Sequence, residues 1–203
     1  MECVDISMDV DKNFTNNKKN SMKKLDLAKK ENKVDSGIIP IIDLINNSDK
    51  YYTSSSCAGR IVLIELPRIG DKVNAKFLGK WHRKINLNDI KSAFEKASKG
   101  YIFFLAQSPI IHVYCSSSDD ADGLIKQAVS SGFKHSGIKT LKNKFIVEIN
   151  STERIDTPVG IDGNFFCDDD FLELLIKISN DIYDKSTKKL SRLKYNFKEM
   201  FKY

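Results

Sequence analysis

YYTSSSCAGRIVLIEL, Tyr51 to Leu66, is the stretch on which the reading of the whole chain turns. Its two ends are strand-like, because Tyr51-Tyr52-Thr53 and Ile61-Val62-Leu63-Ile64 are aromatic and β-branched residues that suit a pleated, half-buried surface. Between them stand three serines, a cysteine, a glycine and an arginine. Gly59 permits a positive φ or close backbone approach. Serine hydroxyls and turn N–H groups can hold a carboxylate or phosphate, and Arg60 adds a planar, permanently charged donor. The same residues also make an ordinary serine-rich hairpin turn. The stretch therefore defines two strands, 51–56 and 60–66, joined at Cys57-Ala58-Gly59, with a candidate polar site at the joint.

Working outward, 34–47 opens with an Asp35-Ser36 cap signal and carries Ile38, Ile41, Ile42 and Ile45 at spacings of three and four. That is a helix with one buried face, and Pro40 fits its first turn. Residues 14–30 predict a polar, basic helix anchored by Phe14, Leu25 and Ala28, whereas 1–13 lack periodicity and are expected to be disordered. Downstream, a strand is expected over 75–82 after a turn at Gly70-Asp71, and a helix over 87–99 capped by Asn86 or Asn88. Strands follow at 101–107 and 110–115, interrupted at Ser108-Pro109, then a capped helix at 118–131, a strand at 144–150 and a short one at 156–159. Asp168-Asp169-Asp170 places negative charge where it suits the dipole of a long helix, with Phe171, Leu174, Leu175, Ile178 and Ile182 as its apolar face. Strands alternate with helices while several neighbours look like hairpins. The expected fold is a single-domain α/β (mixed α+β) arrangement, a mixed sheet with packed helices, over 14–184, followed by a basic helical extension at 185–203. A faint echo of Ala58-Gly59-Arg60-Ile61 in Ser136-Gly137-Ile138 suggests internal pseudo-symmetry.

At 203 residues, 41% hydrophobic and 30% charged, the chain has the composition of an ordinary globular protein. Its apolar runs are far too short to span a bilayer, and its N-terminus reads acidic and polar rather than as a signal peptide, so a cytoplasmic location is expected. Cys3, Cys57, Cys115 and Cys167 stand apart without a CxxC pair, and His82, His112 and His135 form no HxxxH pattern. This spacing speaks against a zinc site and against a disulfide scaffold. Residues 12–33 carry eight lysines against Asp26 and Glu31, and 185–203 carry seven basic residues against Glu199. Two basic flanks suit a polyanion held through its phosphates, or else solvated helix faces. Cys57 with His82 or His112 as base is a candidate nucleophile. Trp81, between Lys80 and Arg83, suits a nucleobase as well as it suits a core. No glycine-rich dinucleotide loop, Walker sequence or nucleophile elbow is present.

Taken in order, several segments carry a resemblance: Leu25-Asp26, Val34-Asp35, Tyr52-Thr53-Ser54-Ser55-Ser56-Cys57-Ala58-Gly59-Arg60-Ile61, Phe77-Leu78-Gly79-Lys80-Trp81-His82, Pro109-Ile110-Ile111-His112-Val113 and Gly132-Phe133-Lys134-His135-Ser136-Gly137-Ile138. Over roughly 14–183 the chain resembles the tRNA wybutosine-synthesising protein 3 family. The resemblance implies an S-adenosylmethionine-dependent methyltransferase acting on N4 of a demethylwyosine-type guanosine beside the anticodon of tRNA-Phe. It also implies a mixed α/β fold with pseudo-symmetry around a positive cavity, not a Rossmann methyltransferase. Ala58 stands where the family usually has serine, and Ala28-Lys29-Lys30-Glu31 replaces a segment with a serine and a Lys-Gly pair.

An acceptor nitrogen that gains a methyl group must lose its proton to a nearby base. Under this resemblance Asp26 is the expected base, with Asp35 and His82 as alternates. Ser55, Ser56 and the Gly59 backbone are expected to grip the cofactor, with His112 and Ser136 lining the cavity. Arg60 is expected to meet a carboxylate or phosphate, and Lys18, Lys19, Lys80, Trp81 and Arg83 to hold the tRNA. A monomer without a metal is expected. The competing class is a non-catalytic RNA-binding module whose turn clamps phosphate, and a cysteine hydrolase stands third.

Overall fold

The computed structural model describes residues 6–141 and 144–202. In chain order the elements are α1 (Ile6–Lys30), α2 (Ile39–Asn46), β1 (Tyr51–Cys57), β2 (Arg60–Leu66), β3 (Lys76–Trp81), α3 (Leu87–Phe94), β4 (Tyr101–Gln107) and β5 (Ile110–Cys115). They continue with α4 (Ser118–Ser130), β6 (Gly137–Thr140), β7 (Phe145–Asn150), β8 (Arg154–Ile161), β9 (Asn164–Phe165) and α5 (Asp169–Met200). The helix expected from Phe14 thus begins at Ile6, and of the segment expected to be disordered Met1 to Asp5 lie outside the described residues.

The strands form two sheets, ordered β1-β5-β7-β6 and β3-β2-β4-β8-β9. The mixed α+β class holds, but the expected mixed sheet resolves into two, and every described pairing is antiparallel. Cys57-Ala58-Gly59 does not close a hairpin, since β1 and β2 belong to different sheets; Ser108-Pro109 likewise separates β4 from β5. Three successive strand pairs, β1/β2, β4/β5 and β7/β8, each give one strand to each sheet. The result is two three-strand centres, β1-β5-β7 and β2-β4-β8, laid down in the same chain order. The glycine echo does not mark this repeat, because β2 is interior to its sheet and β6 is an edge.

The chain forms two compact units. The first comprises Met1–Ala58, Pro109–Ser151 and Lys189–Tyr203, and the second Gly59–Ser108 and Thr152–Lys188. In the first, alternation puts Ile111, Val113 and Cys115 of β5 and Val147 and Ile149 of β7 on one sheet face. Against them pack Ile41, Ile42 and Ile45 of α2, Ala121, Leu124 and Ala128 of α4, and Leu193 and Phe197 of α5. In the second, Ile61, Leu63, Ile102 and Phe104 pack with Ile90 of α3 and with Leu172, Leu175 and Ile176 of α5.

Local chemistry explains most boundaries. Asn86 and Asp89 form a reciprocal capping box at the start of α3. That helix stops short of the expected Lys99 because Ser98 donates its backbone N–H and hydroxyl to the buried Glu65 carboxylate, at 2.6 and 3.1 Å. The Asp35-Ser36 cap is not made: Ile38 precedes α2 without a side-chain cap, and Asp35 is engaged elsewhere. On α5 the buried face is also rotated from expectation. Leu172, Leu175, Ile176 and Ile182 are buried, while Phe171, Leu174 and Ile178 are exposed.

Candidate active site: a serine bulge on a sheet edge

β1 is an edge strand, and its pairing with β5 slips at the serines. Thr53 faces Val113 and Ser56 faces Ile111, so Ser54 and Ser55 together oppose the single residue His112. An extra residue of this kind bends the strand and re-aims its side chains, and edges tolerate it because only one ladder is disturbed. Ser54 and Ser55 are exposed as a result, on a strand whose first three residues are buried. The Ser55 hydroxyl lies 2.7 Å from His112 Nδ1. His112 stands directly opposite Glu148 on β7, and its Nε2 lies 2.8 Å from Glu148 Oε2. Lys139 on β6 approaches the same oxygen at 3.1 Å. Lys139 is itself an extra residue, lying between Ile138, which faces Val147, and Thr140, which faces Ile146. Four side chains thus form a polar row across all four strands, from bulge to bulge. Burial pushes the Glu148 carboxyl up, but hydrogen bonds from His112 and Lys139 and the charge of Lys139 outweigh it and hold its pKa below the ordinary glutamate value.

Beside the serines lies a cleft of about 460 Å³, lined by Thr53 to Ser56, by Ser21, Lys24, Leu25 and Ala28 of α1, and by Lys33, Val34 and Ile42. The volume suits a small-molecule ligand. The lining residue Thr53 is held by Asn46, whose Oδ1 accepts the Thr53 N–H at 2.7 Å and whose Nδ2 donates to Thr53 Oγ1 at 3.0 Å. Asp35 Oδ2 accepts the Ala58 N–H at 3.0 Å and so fixes the end of the serine segment. Ala58 contributes here through its backbone, which a serine would supply equally. Asp26 is exposed on α1, next in sequence to the cleft-lining Leu25, and its own side chain is not part of the lining.

The second unit holds the other half of the sequence motif. Gly59 adopts φ of +93°, the left-handed region that favours glycine. His82 Nδ1 donates to the Gly59 carbonyl at 3.0 Å, and the Tyr183 hydroxyl donates to the His82 carbonyl at 3.0 Å. Arg60 Nε donates to Gln107 Oε1 at 2.7 Å, while its guanidinium carbon stands 5.7 Å from the centroid of the half-exposed Phe77 ring. Lys80 Nζ lies 6.0 Å from the same ring. Trp81 packs on the core of this unit, with its ring over Gly79, where a Cβ would come within 2.1 Å of it. Arg83 is clamped by both oxygens of Asp89, at 2.9 and 2.7 Å.

The structure therefore joins Ser55 to His112 and places Ser56 in the same cleft, but it deploys other candidates differently. The Ser136 hydroxyl donates to the Phe133 carbonyl at 2.7 Å and accepts from the Asn150 N–H at 3.2 Å, and it does not line the cleft. Lys18 donates to the Ser48 carbonyl, and burial lowers its pKa; Lys19 is exposed. Trp81 is part-buried against the core of its unit and also lines an open cleft with Phe77, Lys80 and Asn86. Glu148 and Lys139 escaped the reading of the sequence, and Phe77 entered it only as part of a longer motif. A lone acid within Phe145-Ile146-Val147-Glu148-Ile149 was the one available signal, the counterpart of His112 in its own apolar strand.

Fold and site together define an α+β protein with a cleft of small-molecule size at a strand bulge and no glycine-rich loop in its sequence. The family described as Methyltransferase TYW3 matches residues 16–199, and this chain belongs to it. It is 44% identical to the tRNA(Phe) 7-((3-amino-3-carboxypropyl)-4-demethylwyosine(37)-N(4))-methyltransferase 1 of Pyrococcus horikoshii, over 89% of this chain and 93% of that one. Identity to the methyltransferase of the same description in Methanocaldococcus jannaschii is 39%, over 88% and 94%. Among solved structures, the PH1069 protein of Pyrococcus horikoshii superposes with a TM-score of 0.87 at 43% identity, covering 92% of this chain and 97% of that one. A hypothetical protein from Aeropyrum pernix superposes with a TM-score of 0.70 at 26% identity, covering 82% and 98%. No described helix is long and apolar enough to cross a membrane.

Proposed function

We propose that the protein transfers a methyl group from S-adenosylmethionine to N4 of the demethylwyosine-type nucleoside at position 37 of tRNA(Phe), working as a cytoplasmic monomer. The observation that carries this reading is the serine-bulge cleft, lined in part by the serine run through which the chain resembles the methyltransferase family. Its lining fits the cofactor: Leu25, Val34 and Ile42 offer apolar surface, the serines offer hydroxyls, and Lys24 and Lys33 offer charge for a carboxylate. When bound, the cofactor supplies a methyl group on a positively charged sulfur.

The chain's own residues hold and orient. Ser55 and Ser56 anchor the ligand against the edge of β1. The Asn46–Thr53 bonds and the Asp35–Ala58 bond keep that edge from relaxing, which matters because methyl transfer depends on alignment of donor and acceptor. The N4 proton goes to a carboxylate, and we assign Asp26. Asp26 is exposed on α1 and follows the cleft-lining Leu25, which leaves its carboxylate open to an incoming nucleotide. Exposed lysines such as Lys19 and Lys80 attract the phosphate backbone, giving an affinity that falls with salt.

The deciding experiment is transfer of labelled methyl to tRNA(Phe) isolated from cells lacking this activity, with wild type beside Asp26→Asn. Wild type is expected to label nucleotide 37. The variant is expected to bind tRNA normally and turn over about 10²- to 10⁴-fold more slowly, the usual range for a lost general base. Binding of tRNA by wild type without label would instead favour a phosphate-clamping RNA-binding module.

A further inference from the structure

The row from Ser55 to Lys139 has a direction that can be read from its donors and acceptors. Glu148 stands opposite His112 in the sheet, and its side chain is 16% exposed. An ionised carboxylate only accepts hydrogen bonds, and Lys139, 3.1 Å from Oε2, supplies the charge that keeps it ionised. At 2.8 Å the imidazole Nε2 must therefore carry a proton and donate. Because Lys139 already balances Glu148, a second proton on the ring would leave a net positive charge at this half-buried place. With a single proton on the ring, held at Nε2, Nδ1 is an acceptor and the Ser55 hydroxyl at 2.7 Å donates to it. That orientation leaves the Ser55 oxygen lone pairs for the cleft.

We propose that Glu148 is a positioning residue: through His112 it turns Ser55 into a hydrogen-bond acceptor, so that the cleft selects a donor group, an ammonium or amino group, on the bound methyl donor. The ligand half of this inference rests on the methyl-donor reading of the cleft; the proton arrangement does not. The usual hydrolase triad attaches its carboxylate to Nδ1 and its serine to Nε2, whereas here the two nitrogens are exchanged.

The test is nitrogen NMR of histidine-labelled protein at neutral pH, with His112 assigned by comparison with His112→Gln, together with calorimetric titration of S-adenosylhomocysteine. Wild type is expected to show a neutral His112 ring with its proton on Nε2. In Glu148→Ala that preference is expected to be lost and S-adenosylhomocysteine to bind about tenfold more weakly, the scale of one lost hydrogen bond. In Glu148→Gln, whose amide oxygen still accepts from Nε2, both are expected to stay close to wild type. A doubly protonated ring or an Nδ1–H tautomer in wild type would overturn the proposal, and so would an unchanged tautomer in Glu148→Ala. If that variant does not fold, the wild-type and Glu148→Gln spectra decide. An Nε2–H ring in a protein that binds no S-adenosylhomocysteine would uphold the positioning role and sink the methyl-donor reading instead.

Discussion

β1 and β2 are seven-residue strands separated by two residues, and they do opposite work. β2 is paired on both sides, by β3 and β4, and its Ile61, Val62 and Leu63 are buried. Among the described strands β1 is paired by β5 alone, and its middle is an exposed, bulged run of serines. An extra residue on an interior strand falls in a strand with two partners, as at Val159 of β8, whereas on an edge strand it disturbs one ladder and re-aims a side chain. Lys139 shows the same rule on the opposite edge of the first sheet, and Leu78 shows it on β3 at the edge of the second. In the first sheet the bulges lie on the two edges, at the ends of the polar row, while the apolar face of the interior strands β5 and β7 carries stability.

The sharpest way to break that comparison is to delete Ser54. One residue would then face His112, and the flanking pairs Thr53–Val113 and Ser56–Ile111 would keep their register. Methyl transfer is expected to fall at least about a hundredfold, as for a misplacement near 1 Å, in a protein that still melts cooperatively. Single-turnover assays beside thermal melts check this. The mirror experiment is Val62→Ser in β2, which loses apolar contacts and buries a hydroxyl. Urea unfolding is expected to show a loss of about 3 kcal/mol, with normal turnover per folded molecule.

Between these extremes lies Asn46→Ala, which strips the N–H of the cleft-lining Thr53 of its acceptor. Its expected cost is about 1 to 2 kcal/mol in the same unfolding assay, together with weaker S-adenosylhomocysteine binding. The smallest effect should come from acid. The folded-state pKa of Glu148 is depressed, so its contribution to stability is fully present above the unfolded pKa and drains away as pH falls through the folded one. Below the ordinary glutamate range wild type should therefore lose stability more steeply than Glu148→Gln, measured by urea midpoints at stepped pH.

Which of these features the sequence disclosed follows from the range of the forces involved. β4 and β5 were legible to the residue, since period-two alternation is local, and the capped helix α4 was legible to within one residue at its end. Partners were not legible: a two-residue joint at Ala58-Gly59 looks the same whether its strands pair with each other or leave for separate sheets. The face of α5 was misread because Phe171, Leu172, Leu174, Leu175, Ile176 and Ile178 nearly encircle its first turns, and only packing chooses among them. β6 and β9, at four and two residues, are too short to declare a period. The serine run announced itself as a polar site, yet its partners lie 57 residues away at His112 and a further 36 at Glu148. Sheet register joins them, and register is a property of the whole fold.

The two units are threaded through each other in sequence, and this sets the order in which the protein can come into being. The first unit is assembled from three separated segments, and Leu190, Leu193 and Phe197 complete its core. Until those residues are available, Ile111, Val113 and Val147 have only part of their cover. Neither unit can be finished early as the chain is synthesised, and the sequence-distant pairings of β1 with β5 and β4 with β8 place it among slow-folding topologies. A nascent chain of this kind holds unpaired strand edges open for longer than one built from consecutive domains, which makes it a natural client for chaperones during synthesis.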